Sequence, residues 1–459
     1  CPNTSEPTLT TLQRPRPIFW LLMFTCCVVL CAGLIRKVWI KWDESPVIVS
    51  FAETSTPVWQ IPYPAITVCF ETKSMQTKFN FTEYYHLYLN ETSKANMTEE
   101  EYMAPNITDV FFGCKWKDIP KDSCSDLFSP ILTEEGQCYT FNTLGADELF
   151  RTENLHENYP YLDRSNVSSN WSLDEGYATG SPIETYPHRG TGYGAKAGLT
   201  FALLARETDL DYLCKGPVQG FKVCILLHNP AELPRLSQQY FRSPLSQEVV
   251  VAVKPKMMTT SEGLRPYDPT RRQCFFPNER YLRYFRVYTQ ANCEMECLSN
   301  FTYVRCGCVQ FGMPRMDRLS SDNNTDNMQE AKEIAARCRC LPACTSIEYE
   351  AETSQADYDW RAVFMVHKVP IDESRKDLLF SRVMIFFKEP QFITSRRSEL
   401  YGQTDFLANC GGLLGLFMGF SILSVVEIFP KVAHTNVRLV SGVAKVLPKR
   451  FSNVPPGPE

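Results

Sequence analysis

Two long apolar stretches lie near opposite ends of the chain. The first, residues 17–35, contains 19 residues without a charge, and the second, residues 406–426, contains 21. Because an α-helix rises about 1.5 Å per residue and the hydrocarbon core of a bilayer is about 30 Å thick, each stretch is long enough to cross a membrane. A buried helix of a soluble protein is the alternative, but two such stretches near the two ends favour membrane spans. We therefore predict transmembrane helices at 17–35 and 406–429, embedded in a lipid bilayer.

The polar segment between the two stretches, residues 36–405, is rich in cysteine. It holds 14 of the 19 cysteines, which predicts an oxidising compartment because cytosolic thiols are kept reduced. The segment also contains eight Asn-x-Ser/Thr motifs, which are acceptors for N-linked glycans. They are Asn80, Asn90, Asn96, Asn106, Asn166, Asn170, Asn300 and Asn323. We therefore predict an extracellular domain at 36–405, a cytoplasmic segment at 1–16 and a cytoplasmic tail at 430–459, in the plasma membrane.

The charge distribution supports this orientation in part. The tail carries Lys431, Arg438, Lys445, Lys449 and Arg450 against the single acid Glu459, as the positive-inside rule expects of a cytoplasmic segment. Arg36 and Lys37 lie on the opposite side and do not follow the rule; contact with phospholipid headgroups would explain them. The formal net charge of −5 is too small to indicate nucleic acid as a partner.

The pattern within residues 36–405 predicts one α+β domain, since no internal repeat or long low-complexity linker divides it. Extended, partly alternating runs predict strands at 46–51, 65–69, 220–227, 247–253, 362–369 and 382–387. Residues 329–337 mix apolar and charged residues at helical spacing and predict a short helix. The fold class is thus a membrane α+β protein, in which two transmembrane helices flank a large disulfide-rich extracellular domain with a β-sheet core and peripheral helices.

The motifs do not indicate an enzyme. The six histidines, at positions 86, 156, 188, 228, 367 and 434, are scattered without metal-ligand spacing. Gly190, Gly192, Gly194 and Gly198 resemble a phosphate loop superficially, but no Gly-Lys-Ser/Thr follows, and a turn before a strand is the better interpretation. Cys338, Cys340 and Cys344 have the spacing of a metal knuckle, yet the oxidising setting favours disulfides. We expect no catalytic residue, no cofactor and no metal.

The second apolar stretch has an unusual composition for a simple anchor. Ala408, Gly412, Gly415 and Gly419 recur at spacings of four, three and four, so a helix would place them in one stripe. Close packing of helices is one explanation, because Gly-x-x-x-Gly lets backbones approach each other in lipid. The other is a pore: three or more copies of the stripe around an axis would leave a narrow path, where carbonyl oxygens replace the hydration shell of an ion.

Two polar features sharpen the pore hypothesis. Gly419 and Ser421 flank Phe420 and are separated by about 200° on a regular helix, so both can line a pore only if the backbone opens locally. Irregular backbone at membrane depth is tolerated where protein or water shields it. Glu427, near the cytoplasmic end, could form an acidic ring that concentrates cations, or a solvated helix end.

Several short segments occur in a characteristic order along the chain. They are Pro64–Cys69, Gly220–Val223, Tyr288–Cys297, Cys306–Cys308, Cys338–Cys344 and Gly411–Ser421. In this order they resemble the degenerin, epithelial sodium channel and acid-sensing channel family, most closely its insect pickpocket branch, over nearly the whole chain. The resemblance implies a subunit of a homo- or heterotrimeric cation channel that prefers sodium ions, is blocked by amiloride-type compounds and opens in response to an extracellular stimulus.

The resemblance also implies roles for individual residues. Gly419, Phe420 and Ser421 match the Gly-x-Ser selectivity filter of the family, and Ala408 matches the position where bulky side chains hold degenerin channels open. Five disulfides are implied, the last three of them as a ladder in a thumb-like region. They are Cys69–Cys138, Cys114–Cys124, Cys274–Cys344, Cys293–Cys340 and Cys297–Cys338.

The chain departs from the family pattern at three places. Cys306 and Cys308 should have partners before Cys338, but residues 309–337 contain no cysteine. Cys214 and Cys224 have no counterpart in the acid-sensing pattern, and we pair them with each other. The His-Gly dipeptide that the family carries before the first span is absent. A non-conducting regulatory subunit and a receptor anchored twice in the membrane are therefore the alternatives to a conducting subunit, and no motif indicates the stimulus.

Overall fold

The computed structural model describes residues 17–44, 47–70, 106–156, 171–206, 223–237, 239–315, 338–366, 368, 377–400 and 402–419. The chain divides into two compact units. The first combines Cys1–Ile48 with Ser398–Glu459, and the second is Val49–Arg397. The helix predicted at 329–337 lies outside the described residues.

The helices are numbered here in chain order, as are the strands. The described helices are α1 (Pro17–Glu44), α2 (Ile107–Val110), α3 (Ala146–Leu149), α4 (Pro269–Arg272), α5 (Gln290–Cys306), α6 (Trp360–Val366) and α7 (Gln403–Met418). The described strands are β1 (Val47–Phe51), β2 (Thr56–Pro57), β3 (Ala65–Phe70), β4 (Phe111–Trp116), β5 (Ile119–Pro120), β6 (Phe128–Thr133), β7 (Gly136–Phe141), β8 (Trp171–Ser172), β9 (Gly176–Tyr177), β10 (Leu199–Arg206), β11 (Val223–His228), β12 (Phe241–Ser243), β13 (Gln247–Thr260), β14 (Ser346–Asp357), β15 (Leu378–Phe387), β16 (Gln391–Phe392) and β17 (Ser395–Glu399).

The first unit contains α1 and α7. On length and composition, α1 is the one helix in the described part of the chain that could cross a membrane. Its 28 residues would span about 42 Å at 1.5 Å per residue, and it continues beyond the predicted end at residue 35. Residues 36–44 contain no glycine or proline, and the next helix breaker is Pro46, which restricts the residue before it. Helix α7 is described over 16 residues, and residues 420–429 of the predicted second span lie beyond the described residues.

The second unit is built on two β-sheets. The larger has the strand order β1-β17-β13-β15-β10-β4-β5, with β14 also paired to β13, and the smaller has the order β12-β11-β3-β7-β6. Both sheets contribute to one apolar core, in which the ring of Phe128 on β6 lies 4.7 Å from Phe111 on β4 and 5.5 Å from Phe201 on β10. Side chains on β10 are alternately buried and half-buried, as the period of two in a strand requires.

Five of the six predicted strands are present, as β1, β3, β11, β13 and β15, although residues 220–222 at the start of one lie outside the described residues. The main difference is the length of β13, which continues past the predicted end at Val253 to Thr260. There it pairs with β14 through charges of opposite sign: Lys254 lies 2.6 Å from Glu352, and Lys256 pairs with Glu350. Such cross-strand pairs stabilise a sheet without any apolar alternation in the sequence.

The strand predicted at residues 362–369 is wrong, because Trp360–Val366 forms helix α6. Trp360 and Phe364 are four residues apart, so a helix places both on one face. Both are buried in a small cluster with Leu378 and Phe380, and the rings of Trp360 and Phe380 are 4.8 Å apart. Burial of this pair on a helical face outweighs the β-propensity of the segment.

Five disulfides lie within the described residues of the second unit. They are Cys69–Cys138, Cys114–Cys124, Cys274–Cys344, Cys293–Cys340 and Cys297–Cys338. These are the five pairs that the family resemblance implies. Because Cys338, Cys340 and Cys344 are all bonded to other cysteines, their thiolates cannot serve as metal ligands in this state. Cys224 is buried on β11, and Cys214 lies outside the described residues, so their pairing stays a prediction.

The glycine-rich segment at 190–198 forms a turn before a strand, as predicted: residues 195–197 make one turn of 3₁₀-helix and β10 begins at Leu199. A Cβ atom at Gly198 would lie 2.0 Å from the carbonyl oxygen of Ile385 on the neighbouring strand β15. We expect Gly198→Ala to destabilise the domain by about 1–3 kcal/mol, because the backbones must separate to admit the methyl group. A lower midpoint of thermal unfolding, measured on the purified protein in detergent, would show this.

Gly192→Ala is the matched control, since the nearest atom to a Cβ there is the Cβ of Ala197 at 3.8 Å, an ordinary contact. We expect its unfolding midpoint to match that of the wild type. Equal midpoints for the two variants would contradict the close approach at Gly198.

Candidate functional site

Helix α7 carries Ala408, Gly412 and Gly415 of the predicted pore residues, and Gly419 follows it directly. It begins at Gln403, after Gly402, whose backbone N–H donates to the carboxylate of Asp405 at 3.1 Å. This bond satisfies one of the free donors at the start of the helix, and the negative charge of Asp405 suits the positive end of the helix dipole.

One face of α7 packs against α1. The ring of Phe406 lies 5.6 Å from the rings of both Trp39 and Trp42 on α1. Further along the same face, Cys410 and Phe417 are half-buried. Because a helix turns about 100° per residue, these side chains lie within about 40° of Phe406 and form one apolar seam.

The small residues lie on the other face of α7. Taken at 100° per residue, Ala408, Gly412, Gly415 and Gly419 are displaced by about 180–240° from Phe406. All four are exposed in the single chain. The small-residue stripe, defined by these four positions, is therefore not used for packing α1 against α7. It remains available for contacts with other copies or for lining a pore.

The regular helix ends at Gly419, the first residue of the predicted filter. Gly419 has φ 60° and ψ 23°, the left-handed conformation that favours glycine, and its N–H donates to the carbonyl of Gly415 at 3.0 Å. Gly419 and Ser421 can both line a pore only if the helix opens between them, and the departure from helical geometry begins at Gly419. Phe420, Ser421 and Glu427 lie outside the described residues, so their positions stay predictions.

Two of the eight predicted glycosylation sites fall within the described residues. Asn106 is exposed, and its side-chain oxygen accepts the N–H of Ile107 at 2.8 Å at the start of α2. Asn300 is half-buried on α5. The other six, Asn80, Asn90, Asn96, Asn166, Asn170 and Asn323, lie outside the part of the chain that the structure describes.

Sequence reasoning missed a cavity of about 470 Å³ in the second unit. Glu232, Glu348, Lys256 and Arg397 line it together with apolar side chains, among them Met257. Burial raises the pKa of the Glu232 carboxyl from 4.5 to about 7, and the nearby Glu348 carboxylate acts in the same direction. Glu232 occurs as a single acid in the sequence Asn-Pro-Ala-Glu, and the groups around it come from distant segments, so no local pattern indicates it.

Glu232 is also connected to the start of helix α5. The Thr289 hydroxyl donates a hydrogen bond to the Glu232 carboxylate, and the Thr289 oxygen accepts the N–H of Asn292 at 3.1 Å. Thr289 is thus the N-cap of α5, the helix that carries two of the disulfide cysteines. Ionisation of Glu232 therefore acts directly on the residue that caps this helix.

We expect the stability of the second unit to fall as the pH rises through about 7. A carboxyl whose pKa is raised in the folded state binds more protons there than in the unfolded state between about pH 4.5 and 7. The stabilisation is therefore full below about pH 4.5 and is lost as the pH rises through the folded pKa. Glu232→Gln should flatten this profile, which thermal unfolding of the purified protein from pH 4.5 to 8 would show.

Glu348→Gln is the control for this prediction, because it removes a neighbouring charge and leaves the titrating group in place. Its profile should keep the fall, with the midpoint at slightly lower pH, because loss of the Glu348 charge lowers the pKa of Glu232. Parallel profiles for the wild type and Glu232→Gln would contradict the assignment.

Comparison with known proteins agrees with these features. A family model described as amiloride-sensitive sodium channel matches residues 6–106 and 86–430. Pickpocket protein 28 of Drosophila melanogaster is 31% identical over 464 residues, which cover 91% of this chain and 74% of that protein. Sodium channel protein Nach of Drosophila melanogaster is 21% identical over 479 residues, which cover 92% of this chain and 83% of that protein. Acid-sensing ion channel 2 of Homo sapiens is 22% identical over 387 residues, which cover 81% of this chain and 64% of that protein.

The family model covers far more than half of the chain, and the identity to pickpocket protein 28 extends over most of both proteins. The resemblance inferred from the short segments is confirmed. The chain belongs to the amiloride-sensitive sodium channel family, which includes the pickpocket proteins and the acid-sensing ion channels.

Proposed function

We propose that this chain is a subunit of a trimeric, sodium-selective channel of the plasma membrane that is blocked by amiloride-type compounds and opened by an extracellular stimulus. Membership of the family makes it a cation-channel subunit. The observation that carries the finer proposal is the small-residue stripe on α7, which is exposed on the face away from α1 and ends in the left-handed Gly419.

Three copies of α7 with their stripes turned toward a common axis would form a narrow passage. Gly412 and Gly415 bring no side chain into it, so backbone atoms border the path. At Gly419 the helix ends, which frees carbonyl groups from regular helical bonding. With Phe420 and Ser421 these carbonyls would coordinate a partly dehydrated sodium ion. Glu427 would form an acidic ring on the cytoplasmic side that attracts cations.

The second unit is proposed to be extracellular, with both termini of the chain in the cytoplasm. Its five disulfides support an oxidising environment, since such bonds persist outside the cytosol. Each bridge stabilises by about 2–4 kcal/mol, which suits a domain that transmits a signal as a stiff body. Homotrimers and heterotrimers with related subunits are both compatible with this arrangement.

Whole-cell recording tests the proposal. The chain is expressed alone and with related subunits, and surface biotinylation establishes delivery to the plasma membrane. We expect at least one combination to carry an inward current that disappears when sodium is replaced by a large organic cation and that amiloride reduces. Surface delivery without current in every combination would instead favour a non-conducting regulatory subunit or an anchored receptor.

A further inference from the structure

Cys306 and Cys308 differ from the other cysteines of the second unit. Both are exposed at the C-terminal end of helix α5, and neither takes part in a disulfide within the described residues. By contrast, Cys69, Cys138 and Cys274 are fully buried and disulfide-bonded.

The sequence leaves few other partners for these two thiols. Of the 14 cysteines between residues 36 and 405, ten form the five disulfides, and Cys214, Cys224, Cys306 and Cys308 remain. Cys224 is buried on strand β11 and is predicted to pair with Cys214. Residues 309–337 supply no cysteine. Within one chain, Cys306 and Cys308 are therefore the natural partners of each other.

The short sequence separation makes a bond between the two cysteines geometrically possible. Residues two apart can be separated by at most about 7 Å between Cα atoms, and a disulfide needs about 4.4–6.8 Å. Gly307 lies between them with φ 70°, a left-handed turn that ends α5, and its N–H donates to the carbonyl of Tyr303 at 2.8 Å. Among the described residues, no atom outside Cys306, Gly307 and Cys308 lies within 4 Å of the position a Cβ would take at Gly307.

The two ends of helix α5 differ, and Cys306 and Cys308 lie at its C-terminal end. Cys293 and Cys297 tie its first half to Cys340 and Cys338, and Thr289 caps its start. At the opposite end, with Cys306, the described residues show neither a bridge nor a cap from a side chain. The helix therefore has one end held by covalent bonds and one end whose thiols face solvent.

We propose that Cys306 and Cys308 form a reversible dithiol–disulfide pair that exchanges with low-molecular-weight thiols and disulfides such as glutathione. In the oxidising direction, the thiolate of one cysteine attacks a sulfur of the small disulfide and releases one small thiol. The second cysteine then attacks the mixed disulfide, forms the Cys306–Cys308 bond and releases the second small thiol. The two cysteines lose two protons and two electrons, and the small disulfide is reduced to two thiols.

Exposure lets small thiols react with Cys306 and Cys308 in preference to the buried disulfides. Exchange requires a thiolate to reach a sulfur atom, so buried bridges such as Cys69–Cys138 and Cys274–Cys344 are shielded from small thiols. Mild reduction should therefore open the Cys306–Cys308 bond and leave those two bridges closed. This separates the proposed pair from the bridges that maintain the fold.

Differential labelling of the full-length protein at the surface of intact cells tests the proposal. Cells are incubated with reduced or oxidised glutathione and then with a membrane-impermeant maleimide, and peptides are mapped by mass spectrometry. We expect both Cys306 and Cys308 to be labelled after reduced glutathione, and neither after oxidised glutathione, where a Cys306–Cys308 peptide should appear. The double variant Cys306→Ser, Cys308→Ser is the negative control for labelling at these two positions.

The single variants Cys306→Ser and Cys308→Ser distinguish an intramolecular bond from other chemistry. Each should retain one thiol that accumulates as a stable mixed disulfide with glutathione, since the resolving partner is gone. Absence of labelling in both states, labelling unaffected by glutathione, a bond to Cys214 or Cys224, or a cross-link between chains on non-reducing gels would each overturn the proposal. These outcomes are independent of whether the chain conducts sodium.

Discussion

Replacing Ala408 by tryptophan is expected to produce a sodium current that flows without any stimulus. Ala408 is exposed on the face of α7 away from α1, in the small-residue stripe that we propose to pack around the pore axis. Insertion of a large side chain into a close-packed contact costs about 1–3 kcal/mol. If only the closed state has that contact, the closed–open equilibrium shifts by about 5–150-fold. The resting current, measured with and without amiloride and corrected for surface amount, reports the shift.

Leu407→Trp is the matched control. Leu407 precedes Ala408, is 67% exposed, and lies about 100° away around the helix. We expect tryptophan there to leave the resting current close to that of the wild type, because the side chain points away from the stripe. Equal currents from the two variants would show that the effect is not specific to the stripe.

Replacing Gly419 by alanine is expected to abolish or strongly reduce the current while the protein still reaches the surface. Gly419 has φ 60°, and a residue with a Cβ in the left-handed region costs about 1–2 kcal/mol. The turn that ends α7 would shift, and with it the carbonyl groups that we propose coordinate sodium. Current per surface channel measures the loss of conduction. The reversal potential with sodium outside and potassium inside measures any change in sodium selectivity.

Gly411→Ala is the corresponding control within the same helix. Gly411 lies in the interior of α7, and among the described residues no atom outside the helix lies within 4 Å of the position of its Cβ. Alanine in a helix interior is more favourable than glycine by about 1 kcal/mol, so this variant should fold and conduct. If Gly419→Ala conducted with the same selectivity as Gly411→Ala, the proposed role of Gly419 would be refuted.

The differences between prediction and structure have a common physical origin. Periodicity identified β3 and β15 because their buried faces read as apolar runs. It failed at residues 362–369, where Trp360 and Phe364 pack against Phe380 from a strand that follows in sequence. It also missed the second half of β13, which continues the ladder with β14 and has charge pairs across it. In both cases the deciding contact comes from another segment.

In the candidate site, too, the sequence predicts the local features, and the rest depends on contacts between distant segments. Spacing alone placed Ala408, Gly412, Gly415 and Gly419 on one stripe, because helical geometry is local. That the stripe lies opposite the seam with α1 depends on contacts of Phe406 with Trp39 and Trp42, which spacing cannot supply. The raised pKa of Glu232 depends on burial in a cavity and on Glu348, and no local pattern encodes either.

Composition and the period of a helix are sufficient to predict the apolar helix at the start of the chain, the disulfide-rich class of the domain and the stripe of small residues. Contacts in the folded chain determine which face of α7 stays open, the raised pKa of Glu232 and the exposure of Cys306 and Cys308. These properties arise from contacts between residues far apart in the chain, and such contacts exist only once the chain has folded.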